Sequence, residues 1–298
     1  MNPPTPPLSL TQGRLCVAAA AVLWSLSGAF TKFLTGVMEE DYHYPPLHPL
    51  QIAFYRVFFA GMVLLPSLRP RELAFRPLMI VMALTFAAMN ALFVTALVEG
   101  TAANAILLQY TAPMWMYLAS IFLLGEPADR RSTLALLFGM AGIGVIITGG
   151  WEGGRLTTVL IALGSGVTYA GVLICLRALR GLPPGWLTVW NHLLGALVLV
   201  PLIWALPLPT PEQYAVLVLF GGLQMGLAYW LVARGLRVVS PQEAGAITLL
   251  EPLLNPLWAY LVWPKTETPP LTTFIGGAFI LGALAWRYWP RGNKPVAA

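Results

Sequence analysis

Charge is the scarcest property of this chain: 10% of its 298 residues are Asp, Glu, Lys or Arg, while 58% are hydrophobic. Soluble globular domains carry about a quarter charged residues, which excludes a water-soluble enzyme or binding module. Cysteine is almost missing as well, with Cys16 and Cys175 both inside apolar runs. No disulfide framework and no thiolate metal site can be assembled from that inventory. Histidine is equally sparse, and no His-x-x-x-His or His-Glu-x-x-His spacing occurs, so no zinc site is expected. A Walker A loop is absent too, which leaves no ATP motor on the chain and no cofactor to expect. The formal charge of +5 would suggest nucleic acid in a soluble domain. Here the basic residues fall between apolar runs and report topology instead, so no nucleic-acid partner is expected.

What the chain has in abundance is apolar runs long enough to cross a bilayer, each needing about 20 residues. Breaks at Gly, Pro and charge divide it into ten predicted spans: 15–38, 49–68, 76–97, 102–124, 132–149, 156–178, 186–206, 211–234, 241–263 and 272–289. Three starts carry their own chemistry. Thr210-Pro211-Glu212-Gln213 and Ser240-Pro241-Gln242-Glu243 read as capping boxes with Pro at the first helical position, and Thr101 stands ready to cap the fourth helix. In that reading Glu243 serves the backbone, and Glu126 and Glu267 are loop residues at span ends. The first span is too long for a signal-peptide core and carries Lys32, so it is expected to stay in the mature protein. With the N-terminus inside, Arg14, Arg69, Arg71, Arg76, Arg130, Arg131, Arg177, Arg180, Arg234, Arg237, Arg287, Arg291 and Lys294 all fall on the inner side, and only Arg155 and Lys265 on the outer. The outer side holds Glu39, Glu40, Asp41, Glu99, Glu152, Glu212 and Glu267. The positive-inside rule therefore predicts both termini in the cytoplasm, and the high ratio of Arg to Lys points to a GC-rich bacterial genome and so to an inner membrane.

The second half echoes the first. Trp24 and Lys32 match Tyr169 and Arg177 at the same spacing, and Phe54-Tyr55-Arg56 before Pro66 matches Val189-Trp190-Asn191 before Pro201. Ala103-Asn104-Ala105 through Pro113 and Gly125-Glu126-Pro127 matches Gln242-Glu243-Ala244 through Pro252 and Glu267, and Gly139 matches Gly276. The expected fold is thus all-α, ten spans built as two five-helix units, 1–150 and 151–298. Five is odd, so the second unit enters the membrane from the opposite side, which is the arrangement of alternating-access carriers. A secondary transporter becomes the leading reading. A channel is disfavoured because the repeat offers large aromatics rather than a ring of like pore residues. An intramembrane protease is disfavoured because Leu163-Gly164-Ser165-Gly166 lacks a leading Gly.

Trp24-Ser25 with Lys32, the Ala96-Leu97 end of the third span, and Ala102 through Pro113 to Gly125-Glu126-Pro127 resemble the repeat signature of the EamA family of the drug/metabolite transporter superfamily. The resemblance covers nearly the whole chain, twice, and within the superfamily extends to amino-acid exporters of the YddG type. It implies a ten-helix fold whose central cavity is lined by helices one to four and six to nine, with the fifth and tenth outside. Export or exchange of small metabolites is implied with it.

Candidate binding residues follow from the cost of burying polarity in lipid. Glu251 lies near the bilayer centre in the ninth span, so it should face a cavity and hold a cation, a substrate amine or a coupling proton; a protonated, purely structural carboxyl is the alternative. Lys32 and Arg56 fall in the outer third, where either could meet a substrate carboxylate or Glu251, with snorkelling to the headgroups the alternative for Lys32. Thr248, Pro252 and Asn255 share the face of Glu251, and Gln109 and Pro113 are their counterparts in the fourth span. Each Pro frees the carbonyl four residues back, making Pro113 and Pro252 hinges or fixed kinks. Trp24, Tyr169 and Trp190 could give cation-π walls, whereas Tyr110, Tyr229 and other aromatics read as interfacial anchors where they end spans. Asn90, Asn191, His192 and Gln224 complete the intramembrane polar set. One negative pole, one positive pole and an aromatic flank suit a neutral or aromatic amino acid better than a sugar, which would leave the charges unpaired, with a carrier of another metabolite class such as nucleosides or sugars the alternative. Sequence alone sets no oligomeric state. The topology is checked by single Cys labelling: Cys at Tyr42 and Thr210 should react from outside intact cells, and Cys at Arg71 and Gly181 only after permeabilisation. Surface labelling at Arg71 would overturn the orientation.

Overall fold

The computed structural model describes residues 8–35, 45–68, 73–123, 125–153 and 155–288, and among them there is no β-strand. Ten helices are long and apolar enough to span a membrane: α1 Leu10–Leu34, α2 Pro49–Ser67, α3 Leu78–Glu99, α4 Ala102–Phe122, α5 Arg130–Trp151, α6 Leu156–Ala178, α7 Pro184–Ile203, α8 Pro211–Gly235, α9 Glu243–Val262 and α10 Leu271–Tyr288. Their outer faces present apolar side chains, with Leu197, Leu202 and Phe138 more than half exposed. An exposed belt of this kind suits lipid and would be a liability in water. Basic residues Arg69, Arg71, Arg291 and Lys294, acidic residues Glu39, Glu40 and Asp41, and Tyr42 lie outside the described residues.

Local chemistry sets the ends. Thr210 accepts from the Gln213 amide while the Gln213 side chain accepts from Thr210 N, the full capping box expected. Thr101 caps α4 through the Asn104 amide. At α9 Ser240 caps the Glu243 amide, but the Glu243 carboxylate does not close a box; it pairs with Arg14 Nε at 2.6 Å. The first helix begins five residues before the predicted start at 15, because Ser9 and Gln12 form a reciprocal cap at Leu10.

Three spans break in mid-membrane: α1 at Leu26, α4 at Tyr110 and Thr111, and α9 at Leu249. An eight-residue π-helical stretch, Phe220–Leu227, widens α8. Its Gly221 lets α8 close onto α2, since a Cβ there would stand 2.6 Å from the Arg56 carbonyl oxygen. Packing is between halves. Helix α3 lies along α6 and α1 along α8; α4 lies along α6 and α9 along α1; α2 crosses α7, and α5 crosses α10.

The α5–α10 crossing is a backbone contact. A Cβ on Gly142 would sit 2.5 Å from the Gly276 carbonyl oxygen, and one on Gly276 would sit 2.6 Å from the Gly142 carbonyl oxygen. Gly276 thus meets Gly142, while its aligned counterpart Gly139 packs on Met114. Gly142→Val should cost about 1 to 3 kcal/mol by overpacking and lower the melting temperature in detergent. Gly282→Ala on the same α10, where a Cβ meets nothing within 4 Å, should leave it unchanged.

Candidate functional site

The two ends of the bundle differ. At the Lys32 end the helices are tied together. Lys32 Nζ stands 2.8 Å from Glu267 Oε1 and donates to the Gly100 carbonyl at 2.8 Å, and Ala102 N donates to Glu267 Oε2 at 2.7 Å. Both side chains are at most 5% exposed. Gln51 donates to the Pro207 carbonyl, Gln213 to the Pro45 carbonyl, and the Tyr55 and Tyr214 hydroxyls share a bond at 2.8 Å. At the Arg14 end the pairs are wet: Arg14 with Glu243, and Arg177 with Glu126, are all a third or more exposed except Glu243 at 31%. The Arg177 guanidinium holds the Glu126 carboxyl below its ordinary value.

Between these ends lies a cavity of about 450 Å³. Its walls bring together seven residues singled out from sequence: Trp24, Arg56, Gln109, Pro113, Tyr169, Thr248 and Glu251. Leu236, Gly245 and Tyr288 line it as well, which extends it toward the Arg14 end. Glu251 Oε2 is 2.7 Å from the Tyr110 hydroxyl, which also lies 2.9 Å from the Thr248 carbonyl oxygen. Arg56 is 6% exposed, its guanidinium within 5.5 Å of the Phe93 ring and 5.3 Å of the Phe220 ring. Its Nε approaches Met225 Sδ at 3.5 Å, and its Nη1 has no hydrogen-bond partner. Among the described residues Arg56 and Glu251 form no ion pair, so the cavity holds two separate poles. Trp24 meets Tyr229 edge to face at 5.2 Å.

Several expected site residues are elsewhere. Lys32 neither snorkels nor faces Glu251, because Glu267 holds it. Glu267 is correspondingly no loop residue but a buried carboxylate joining α1, the start of α4 and the segment before α10. Helix α7 contributes nothing to the cavity wall and α10 does, through Leu284 and Tyr288, reversing the lining implied by resemblance. The cause is the rotation of α7 toward α2 and α3. Trp190 Nε1 donates to the Met79 carbonyl, and His192 Nδ1 donates to the Thr188 carbonyl with its ring between Phe86 and Tyr229. Asn191 is buried in the same packing. Asn90 donates to the Phe86 carbonyl, Gln224 to the Trp24 carbonyl, and Asn255 to Ser27 Oγ at the break in α1. Pro252 is buried outside the wall. The residues that sequence reasoning undervalued are Tyr110, Tyr229 and Tyr288. Tyr110 had a signal, since it directly follows Gln109 in a span with a mid-membrane Pro.

The EamA-like transporter family matches this chain over residues 11–148 and 156–288. The chain belongs to that family. Relatives include an uncharacterized transporter of Archaeoglobus fulgidus, 28% identical over 92% of this chain and 96% of its own length. Another is the uncharacterized transporter YwfM of Bacillus subtilis, 26% identical over 95% and 96%. A crystal structure shares the fold, with a TM-score of 0.60 at 19% identity over 93% of this chain and 97% of its own. As an EamA-like protein with ten apolar spans, the chain is a multi-pass membrane protein of a transporter family, and its setting implies a small-molecule substrate and a lipid bilayer. In a variant lacking Cys16 and Cys175, a Cys at Val232 or Leu249 should react with a membrane-impermeant thiol reagent from the side that carries Arg14. A Cys at Thr31, fully buried at the tied end, should stay unmodified, and equal reaction would show the cavity open at both ends.

Proposed function

We propose that this EamA-like protein is a secondary carrier that exports or exchanges neutral or aromatic amino acids by alternating access. The observation that carries the reading is the cavity, where a buried cation with a free donor and a partly buried carboxyl stand apart among aromatic walls. Its volume lies in the range of small-molecule sites. An unpaired buried charge is costly, and a zwitterion satisfies both poles at once. In this reading Arg56 reads the carboxylate through Nη1, Glu251 receives the amine, and Trp24 and Tyr169 flank the side chain, with Gln109 and Thr248 beside them. Lys32, Asn90, Trp190, Asn191, His192 and Asn255 hold the scaffold.

Alternating access is supported by the way the halves pack. Exchanging α1–α5 with α6–α10 turns the contact of α3 with α6 into that of α8 with α1, and the contact of α4 with α6 into that of α9 with α1. The α2–α7 and α5–α10 crossings map onto themselves. The family also matches in two stretches. The two units are accordingly inverted repeats over 1–150 and 151–298. Lys32–Glu267 and Arg177–Glu126 then occupy equivalent positions at opposite ends, the first sealed and the second in water, so the structure is open toward the Arg14 end. The distribution of basic residues supports that end and both termini facing the cytoplasm, with the chain in a bacterial inner membrane.

Counterflow in proteoliposomes tests the assignment. Labelled L-phenylalanine should exchange, and Arg56→Ala should reduce its uptake more than tenfold, since a charge-assisted bond contributes about 1.5 to 3 kcal/mol. The same variant should hardly affect the methyl ester. Equal losses for acid and ester would sink the carboxylate role of Arg56 and with it the amino-acid assignment.

A further inference from the structure

The Tyr110 hydroxyl stands within hydrogen-bond distance of two oxygens, Glu251 Oε2 at 2.7 Å and the Thr248 carbonyl at 2.9 Å. A phenol has one proton to donate. The Thr248 carbonyl can only accept, and its usual helical donor four residues on is Pro252, which has no N–H. If Glu251 is ionised, both oxygens compete for the one phenolic proton, and the loser has no donor from the protein. If Glu251 carries a proton, every group is satisfied: the carboxyl O–H donates to the Tyr110 oxygen, and Tyr110 donates to the Thr248 carbonyl.

From this geometry we infer that Glu251 is a proton-binding site, and that Tyr110 relays its occupancy to the broken backbone of α9. Protonation locks Tyr110 onto the Thr248 carbonyl beside the break at Leu249. Ionisation turns Tyr110 to the carboxylate and frees that carbonyl. The inference rests on the reading of this cavity as the transport path. In the exchange, a proton from cavity water bonds to Oε2 as the cationic amine of the cargo leaves, so the carboxylate holds either cation but never both. At the carboxylate one cation replaces another. Because the zwitterion as a whole carries no net charge, exchanging one proton for one amino acid moves one positive charge, which makes the carrier a proton-coupled exchanger.

The groups facing Glu251 leave it to act as the titrating site. Helix α1 presents Trp24, which does not titrate; α4 presents Tyr110 and α10 Tyr288. Across the cavity stand Tyr169 on α6, Tyr229 on α8 and Arg56 on α2. Arg56 is the only permanent charge among them, and it makes no ion pair with Glu251.

Infrared difference spectra of the full chain in nanodiscs, taken between acid and alkaline buffers, test this without any assumed cargo. A buried-carboxyl C=O band should vanish as pH rises and be missing from Glu251→Gln. Glu251→Asp, which keeps a carboxyl, should retain a titrating band and serves if the Gln variant does not fold. In Tyr110→Phe the midpoint should move up by about one pH unit, because the lost bond favours the carboxylate more than the acid. A wild-type band that does not titrate, or the same midpoint in Tyr110→Phe, overturns the proposal. Added L-phenylalanine should move the midpoint down by competing for the carboxylate. A midpoint that shifts in Tyr110→Phe but ignores phenylalanine supports the proton site and rejects the amino-acid cargo.

Discussion

Lipid offers no hydrogen bonds, so every backbone group freed inside the membrane must find its partner within the protein. That constraint makes all ten spans helical, and it also decides where polar side chains gather. Breaks in α1, α4 and α9 release backbone groups at mid-depth, and the side chains around them are spoken for by those breaks. Asn255 and Trp258 bond to Ser27 and Ser25, flanking the break at Leu26. Thr111 returns its hydroxyl to the Leu108 carbonyl and accepts from Trp115. Tyr110 reaches across to the Thr248 carbonyl that Pro252 leaves without its usual donor. All three interrupted helices line the cavity, and the Tyr110–Thr248 part of its polarity follows from the interruptions.

Sequence reading recovers whatever depends on local periodicity. All ten spans, the Thr101 and Thr210 caps, and the position of Glu251 inside the ninth span follow from hydropathy and short-range chemistry. The start of α1 escapes because Ser9 and Gln12 precede the apolar run and signal only through each other. Within the site, an intramembrane charge announces that it must face protein or cavity but not which partner waits there. Arg56 and Glu251 look into the cavity; Lys32 meets Glu267, 235 positions further along the chain, and no spacing rule links the two.

Aromatic residues are the hardest to read, because the same ring serves as anchor, packing unit or wall. Trp190 and Tyr169 both lie inside consecutive spans, yet the rotation of α7 turns one to the Met79 carbonyl while the other lines the cavity. Rotation about a helix axis is set by the neighbours, and a span that is apolar all round carries no stripe from which to infer it. For the same reason Tyr229 and Tyr288 carry no mark in the sequence that separates them from interfacial anchors.

The tie between Lys32 and Glu267 has an energetic character that a greasy seal would lack. Two apolar surfaces pressed together gain free energy in proportion to the area hidden from water, and a gate built that way would settle into its shut form. An ion pair sealed from solvent gives up hydration on both sides to gain its attraction, and the two amounts are of similar size. Parting the pair into water returns the hydration as the attraction is lost. Such a contact is exacting about which groups meet and nearly indifferent to whether they meet. In the alternating-access carrier proposed above, whose two ends would take turns at being closed, that indifference keeps either arrangement from becoming a trap.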